Sequence, residues 1–555
     1  MINKHFKLAV AQLNPTVGDI SGNLHLAIEA YKKALHENAD LLLLTELFIS
    51  AYPPEDLVLK PAFVAACEAA IMELANTTKD QKTGIVIGTP LYREGKLYNA
   101  VALLSDGKII DESYKFDLPN YGEFDEKRVF SKGIAPHVFT FRGLKFGAPI
   151  CEDIWNDYSV GRNLALQGAE IILVPNGSPY IREKPAHRLD VVYHQINEAK
   201  VPIVYANQIG GQDELVFDGG SFAINTDGTK SFQMKHFEED FFVSDWHKKD
   251  GLWFCQSSKQ ELILNGLAAD YNACVLGFRD YVNKNRFKDV VLGMSGGIDS
   301  ALCATIAVDA LGAERVRAIM LPYHYTSDES LKDAKECSTL LGCSYETISI
   351  AAPVEGFLKT LEPQFANLKQ DLTEENLQSR VRGTLLMALS NKFGSMVITT
   401  GNKSEVAVGY STLYGDMNGG FNPIKDLYKM QVYAAANWRN SNKPNNALGP
   451  TGIVIPQNII DKAPSAELRE DQKDQDSLPP YPVLDAILEY LIEEDMSVND
   501  IINLGFERET VERVENLLYI AEYKRRQSAP GVKITRKNLG RDRRYPITNR
   551  FRDKE

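Results

Sequence analysis

The residues Gly293-Met294-Ser295-Gly296-Gly297-Ile298-Asp299-Ser300 stand between an apolar run, DVVLGM, and an apolar helical stretch. Glycines at a strand-to-helix turn let the backbone approach a ligand closely, and the helix N-terminus offers free N–H groups and partial positive charge to an anion. The chemistry this indicates is phosphate binding. No GKS or GKT follows, which excludes the loop in which a lysine reaches the β and γ phosphates. Asp299 and Ser300 also read as helix N-cap residues, a role compatible with phosphate binding. Three further residues carry reactive groups: Glu46 closing the run LLLLTEL, Lys115 in SYKFDLPNYGEFDE, and Cys151 after GLKFGAPI. Taken singly, the cysteine reads as a small buried hydrophobe and the two charges as solvated.

Positioning these groups takes a layered fold. From Phe6 to about Trp246 short apolar runs alternate with amphipathic ones: LAVAQL, Leu24 to Glu37, LLLLTEL, Phe63 to Asn76, GIVIGTP, then NAVALLS, AEIILVPN, VPIVYANQI and GGSFAIN. Strands alternating with helices predict an α/β fold with two sheets covered by helices. Residues 248–263 carry charge and glycine with no clear period and read as a linker between a domain at 1–247 and a second at 264–555. In the second, DVVLGM, RVRAIMLP and SYETISI alternate with helices from Ser300 to Leu311 and from Glu329 to Leu341. The expectation is a doubly wound parallel sheet with ligands at the carboxyl ends of its strands. The polar stretch from Asp461 to Ser477 reads as a mobile loop.

The chain has 555 residues, too many for one core, and 44% hydrophobic with 24% charged residues is the balance of a globular protein. No apolar run is long enough for a membrane helix. Met1 to Asn14 has no targeting pattern, so a cytoplasmic protein is expected. The seven cysteines have no zinc spacing and read as reduced. A net charge of −13 argues against nucleic acid as partner. The basic run Lys533, Arg536, Lys537, Arg541, Arg543, Arg544, Arg550 and Arg552 reads as a solvated tail or subunit contact, with a phosphate-binding surface as the other reading.

SGGIDS resembles the loop of the ATP pyrophosphatases, which split ATP into AMP and pyrophosphate and place AMP on an acid or amide oxygen. A carboxylate beside a triphosphate would repel it, so Asp299 is expected to hold Mg²⁺. Further along, Glu374-Glu375-Asn376-Leu377-Gln378-Ser379-Arg380-Val381-Arg382 and Thr399-Thr400-Gly401-Asn402-Lys403-Ser404-Glu405 resemble segments of NAD synthetases. So do the segments 410–416, 422–429 and 464–468, and Tyr523-Lys524-Arg525-Arg526-Gln527. The resemblance implies that residues 293 to 300 and Thr400 contact ATP, and that Asn376, Glu405 and Lys524 contact deamido-NAD. It also implies a loop from Ala463 to Asp476 that closes over the substrate, and a homo-oligomer built on synthetase-domain dimers. Glu405, at the carboxyl end of the apolar run FGSMVIT, is by its chemistry a candidate second Mg²⁺ ligand.

The segments holding Glu46, Lys115 and Cys151 resemble the nitrilase superfamily, and LPNYGEFDE with PICEDIW is most similar to the glutaminase domain of glutamine-dependent NAD synthetases. This implies an αββα sandwich in which Cys151 attacks the amide of glutamine, Glu46 carries the proton and Lys115 stabilises the oxyanion. It further implies that Tyr121, Ser178 and Lys184 bind glutamine; Glu123 and Glu152 are candidates for its ammonium group. The implied activity is amidation of deamido-NAD through an adenylate, with ammonia cut from glutamine. Alternatives are another ATP pyrophosphatase, such as a GMP, asparagine or argininosuccinate synthetase or a tRNA-modifying thiolase, and a binding protein without turnover.

Overall fold

The computed structural model describes residues 5–156 and 159–553; Met1 to Lys4, at the head of the N-terminal segment read above, lie outside it. The chain forms two compact units. The first ends at Leu264, and the second runs from Asn265 and takes in Asp213–Leu215.

The first unit has a seven-stranded sheet with the order Leu252–Cys255, Asp240–Lys249, His5–Gln12, Leu41–Leu43, Gly84–Arg93, Lys96–Ser105, Lys108–Tyr114. A six-stranded sheet has the order Lys230–Gln233, Phe222–Ile224, Ile203–Asn207, Ile171–Asn176, Leu144–Gly147, Val138–Phe141. Period-two alternation explains the layers: Leu8 and Val10 face a core shared with Phe146, Leu173 and Val204 of the other sheet, while Ala9 and Ala11 face Leu24, Ala27 and Ile71 of the helices Ile20–His36 and Pro61–Thr77. The other sheet packs Ile172 and Val174 against Val192 and Ile196 of the helix Lys184–Ala199. Both faces of the central strands are thus buried, which is why they read as unbroken apolar runs. The result is the expected αββα sandwich.

Three boundaries differ from the sequence reading. The stretch 248–263 is not a featureless linker, because Leu252–Cys255 folds back on Asp240–Lys249 as the edge of the larger sheet. Its alternation of exposed and buried residues covers four positions in a charged context, too few to stand out. The strand predicted to reach Glu46 ends at Leu43, and the one predicted to reach Ile150 ends at Gly147.

The second unit has a parallel four-stranded sheet in the order Ser344–Thr347, Val316–Met320, Val290–Gly293, Met396–Ile398. Its first strand is internal, with the second on one side and the fourth on the other. Strand order therefore reverses between Val290–Gly293 and Met396–Ile398, and the doubly wound expectation is met with SGGIDS and TTGNKSE following the two strands that flank the switch point.

The helix Ile298–Leu311 is fixed at both ends to the helix Lys429–Ser441, by Asp299–Lys429 and by Asp309–Arg439. The partners on each helix are ten residues apart, a rise of about 15 Å, so the two helices run side by side in parallel. Asp309 accepts from Arg439 Nε at 2.6 Å and Nη2 at 2.9 Å, and from the Tyr271 hydroxyl at 2.6 Å. The C-terminal basic run is not simply a solvated tail. Lys533 pairs with Asp542, Arg543 with Glu522 and Lys537 with Asp495, and Lys533 and Arg543 are buried. Asp309→Ala should leave the Arg439 guanidinium buried without its partner and destabilise the second unit by about 3–5 kcal/mol. Urea titration should show this as a lower midpoint for loss of that unit's structure.

Candidate active sites

In the first unit the reactive groups meet at strand ends. Glu46, with no exposed surface, accepts at Oε1 from Lys115 Nζ at 2.7 Å and Asn99 Nδ2 at 2.8 Å, and at Oε2 from the Gly177 N–H at 2.8 Å. Gly88 lets this segment approach closely, since a Cβ there would lie 2.2 Å from the backbone nitrogen of Leu47. Lys115 Nζ also donates to Glu126 Oε1 at 2.7 Å, and the Tyr52 hydroxyl donates to the same oxygen at 2.8 Å. Burial would favour loss of the lysine proton, but the carboxylates of Glu126 and Glu46 hold its pKa well above the ordinary value.

Cys151 opens the 3-10 helix Cys151–Ile154 with a backbone φ of +45°, a left-handed conformation unusual for a side chain with a Cβ. Burial, then the charge of Glu46, pushes its thiol well above the usual range, with Lys115 opposing. The resting group is therefore a thiol that needs a base. Asp153 ties this turn to the lysine segment, its carboxylate accepting the N–H groups of Ile150 at 2.8 Å, Phe116 at 2.9 Å and Asp117 at 2.7 Å. Burial raises its pKa to about 7.

Around this centre the half-exposed Tyr121 donates to both Glu152 oxygens at 3.1 and 3.0 Å. Lys184 Nζ lies 4.1 Å from the centre of the Trp155 ring. Its pKa is lowered by burial and by Arg188, with Cys151, Glu123 and Glu152 acting in the opposite direction. Ser178 is buried beside Gly177. Glu126 is the residue that the sequence reading missed. It is the last acid of LPNYGEFDE, and the cue was physical: a buried lysine facing one glutamate invites a second.

In the second unit a cavity of about 320 Å³ is lined by every residue of the loop 293–300 and by Thr400, Glu405 and Lys524. Gly296 has a φ of +81°, and a Cβ there would meet the Ser330 carbonyl oxygen at 2.5 Å. Asn376 stands apart from the lining; its Oδ1 accepts from the Thr412 hydroxyl at 2.9 Å. Lys524 Nζ donates to the carbonyls of Gly409 at 2.7 Å and Ser411 at 2.6 Å. Lys403 of TTGNKSE is wholly buried and bonds Asp426, Glu493 and Thr535, a structural role. The segment expected to be a mobile lid is irregular and seated, with Glu467 accepting from the hydroxyls of Ser327 at 2.8 Å and Ser330 at 2.7 Å.

The second missed residue is Lys429, the last of the segment NPIKDLYK. Its ammonium lies 2.5 Å from Asp299 and 3.2 Å from Glu405. Burial raises the Glu405 pKa to about 8, with Lys429 lowering and Asp299 raising it. The two carboxylates beside the loop are hard oxygen donors. Mg²⁺ is held by one or two such groups together with substrate phosphates, so this donor set fits that ion.

Residues 7–246 match the carbon-nitrogen hydrolase family and residues 270–528 the NAD synthase family. Over 99% of both chains, a glutamine-dependent NAD(+) synthetase of Rhodobacter capsulatus is 47% identical. The chain belongs to the glutamine-dependent NAD(+) synthetases. A second such synthetase, from Acinetobacter baylyi, is 46% identical over 99% of both chains. The solved structure of the glutamine-dependent NAD+ synthetase of Acinetobacter baumannii, in complex with ADP, covers 100% of both chains at 43% identity and a TM-score of 0.78. For this synthetase the two sites therefore belong to one ligase.

The geometry makes Glu126 answerable for the Lys115 charge. Glu126→Gln should lower kcat/KM for glutamine hydrolysis by about a hundredfold or more while ammonia-driven synthesis is retained. Glutamate release and NAD formation from ammonium chloride measure the two separately.

Proposed function

We propose that the first unit of this NAD synthetase releases ammonia at Cys151 and that the second consumes it at an adenylate. Glu46 takes the Cys151 proton as sulfur attacks the glutamine amide carbonyl, and the Lys115 ammonium donates to the oxyanion. The C–N bond breaks as ammonia leaves with the proton from Glu46, and water hydrolyses the thioester to glutamate. Tyr121, Ser178 and Lys184 bind glutamine. The observation that carries this reading is the Lys115 ammonium held 2.7 Å from both Glu46 and Glu126, in one electrostatic cluster with a buried thiol.

In the second unit the nicotinate carboxylate of deamido-NAD attacks the α-phosphorus of ATP, releasing pyrophosphate; ammonia then displaces AMP. ATP lies on Gly293, Met294, Ser295, Gly296, Gly297, Ile298, Asp299, Ser300 and Thr400, and deamido-NAD on Glu405, Lys524 and, once Asn376 is brought to it, that amide. The ADP complex of the Acinetobacter baumannii relative supports adenine-nucleotide binding by this enzyme, and the strand-to-helix position of the loop is the reason for placing it there. Asp299 and Glu405 would hold Mg²⁺, which supplies positive charge against the phosphates. The segment 463–476 covers the cavity and excludes water from the acyl adenylate.

The enzyme works in the cytoplasm as a homo-oligomer built on synthetase-domain dimers. Among the described residues no helix is long and apolar enough to cross a membrane. Light scattering should give an even multiple of the chain mass; a monomer at working concentration overturns that part. Cys151→Ala should abolish NAD synthesis from glutamine and preserve it with ammonium salts. Loss of both activities would show that Cys151 supports structure instead.

A further inference from the structure

Arg188 is almost wholly buried in the first unit and has no place in the chemistry above. Its guanidinium donates from Nε to the Ser178 hydroxyl oxygen at 3.2 Å and from Nη2 to the carbonyls of Ser178 at 2.8 Å and Pro179 at 3.1 Å. Nη1 donates to Asp218 at 2.8 Å. These bonds occupy four of the five N–H donors of an arginine, leaving little for a substrate.

The group that balances Arg188 is itself held. Asp218 also bonds His236 Nε2 at 2.9 Å, while His236 Nδ1 accepts the Leu264 N–H at 3.0 Å. An Nδ1 that accepts must be bare, so the ring proton of the neutral imidazole is on Nε2 and donates to Asp218. Burial alone would raise the Asp218 pKa; Arg188 and His236 bring it down to about 2, so it stays ionised.

Two consequences reach the glutamine pocket. Because the Ser178 oxygen accepts from Arg188, its own hydrogen is turned away from the guanidinium and goes to another acceptor, the neighbouring Tyr205 oxygen or a ligand. Lys184 precedes Arg188 by four residues on the helix Lys184–Ala199, one turn away on the same face. Anchoring Arg188 therefore anchors the turn that carries Lys184. A hydroxyl donor and an ammonium are the groups that would meet the α-carboxylate of a free amino acid, a feature simple amides lack.

We propose that Arg188, fixed by Asp218 and His236, is the positioning residue that sets Ser178 and Lys184 for the α-carboxylate of glutamine. This rests on the glutamine-binding role proposed for Ser178 and Lys184. Arg188→Lys and the near-isosteric Asp218→Asn are compared with Ser178→Ala in the full-length enzyme. Glutamine KM and kcat are measured alongside the rate at which iodoacetamide, which lacks the amino-acid head, alkylates Cys151.

The expected result is a glutamine KM raised roughly tenfold or more in all three variants, with kcat and alkylation changed by less than about threefold. Combining Arg188→Lys with Ser178→Ala should be no worse than the more damaging single change. A parallel fall in kcat and alkylation would mean that Arg188 only supports the fold. An unchanged KM in the Arg188 and Asp218 variants beside a raised KM in Ser178→Ala would overturn the positioning role alone. An unchanged KM in Ser178→Ala would overturn the underlying assignment, and this inference with it. Should Arg188→Lys fail to fold, Asp218→Asn decides the question by the same readouts.

Discussion

An ammonium out of water with a carboxylate on each side is the constraint around which the first unit is arranged. Lys115 is 1% exposed, and an ion so placed loses several kcal/mol of hydration that only close, well-aligned partners return. Glu46 and Glu126 provide that return at 2.7 Å each, and each is held in turn, Glu46 by Asn99 and the Gly177 N–H, Glu126 by the Tyr52 hydroxyl. The need to keep one charge buried thus fixes the loops after several strands of two sheets. The same arrangement explains the chemistry, because a lysine that cannot lose its proton can stabilise an oxyanion without surrendering it, and a raised thiol leaves the proton for Glu46 to move.

The second unit repeats this charge balance, one ammonium between two carboxylates, at the edge of a cavity. Asp299 and Glu405 both face the cavity, and Lys429 between them holds the carboxylates together. Lys429 can do so because its helix is locked parallel to the helix that begins at the phosphate loop, by one ion pair at each end. The strand order places that loop and Thr400 on either side of the switch point, where the helices diverge and leave a crevice.

Much of this architecture is legible in the amino-acid sequence. Strands buried on both faces and amphipathic helices leave strong periodic signals, so the two α/β units and the SGGIDS loop can be read from pattern and position. What escapes depends on convergence in space. Glu126 supports a lysine eleven residues away, and that lysine faces Glu46, 69 residues away; Lys429 meets an aspartate 130 residues away, and no local pattern marks any of these partners. The edge strand Leu252–Cys255 is lost because it is short and half exposed. The basic C-terminal run looks solvated because its partners Glu522, Asp495 and Asp542 become neighbours only on folding. Asn376 shows the opposite case, a residue assigned by resemblance that in this structure bonds Thr412 and does not line the cavity.

The central claim is that nitrogen released at one site becomes the carboxamide made at the other. Supplying glutamine labelled with ¹⁵N at the amide, with ATP, Mg²⁺ and deamido-NAD, tests it most directly by mass spectrometry of the product. The account predicts NAD carrying the label in its carboxamide, with one AMP formed for each NAD. Unlabelled NAD, or AMP and labelled ammonium accumulating without NAD, would contradict it.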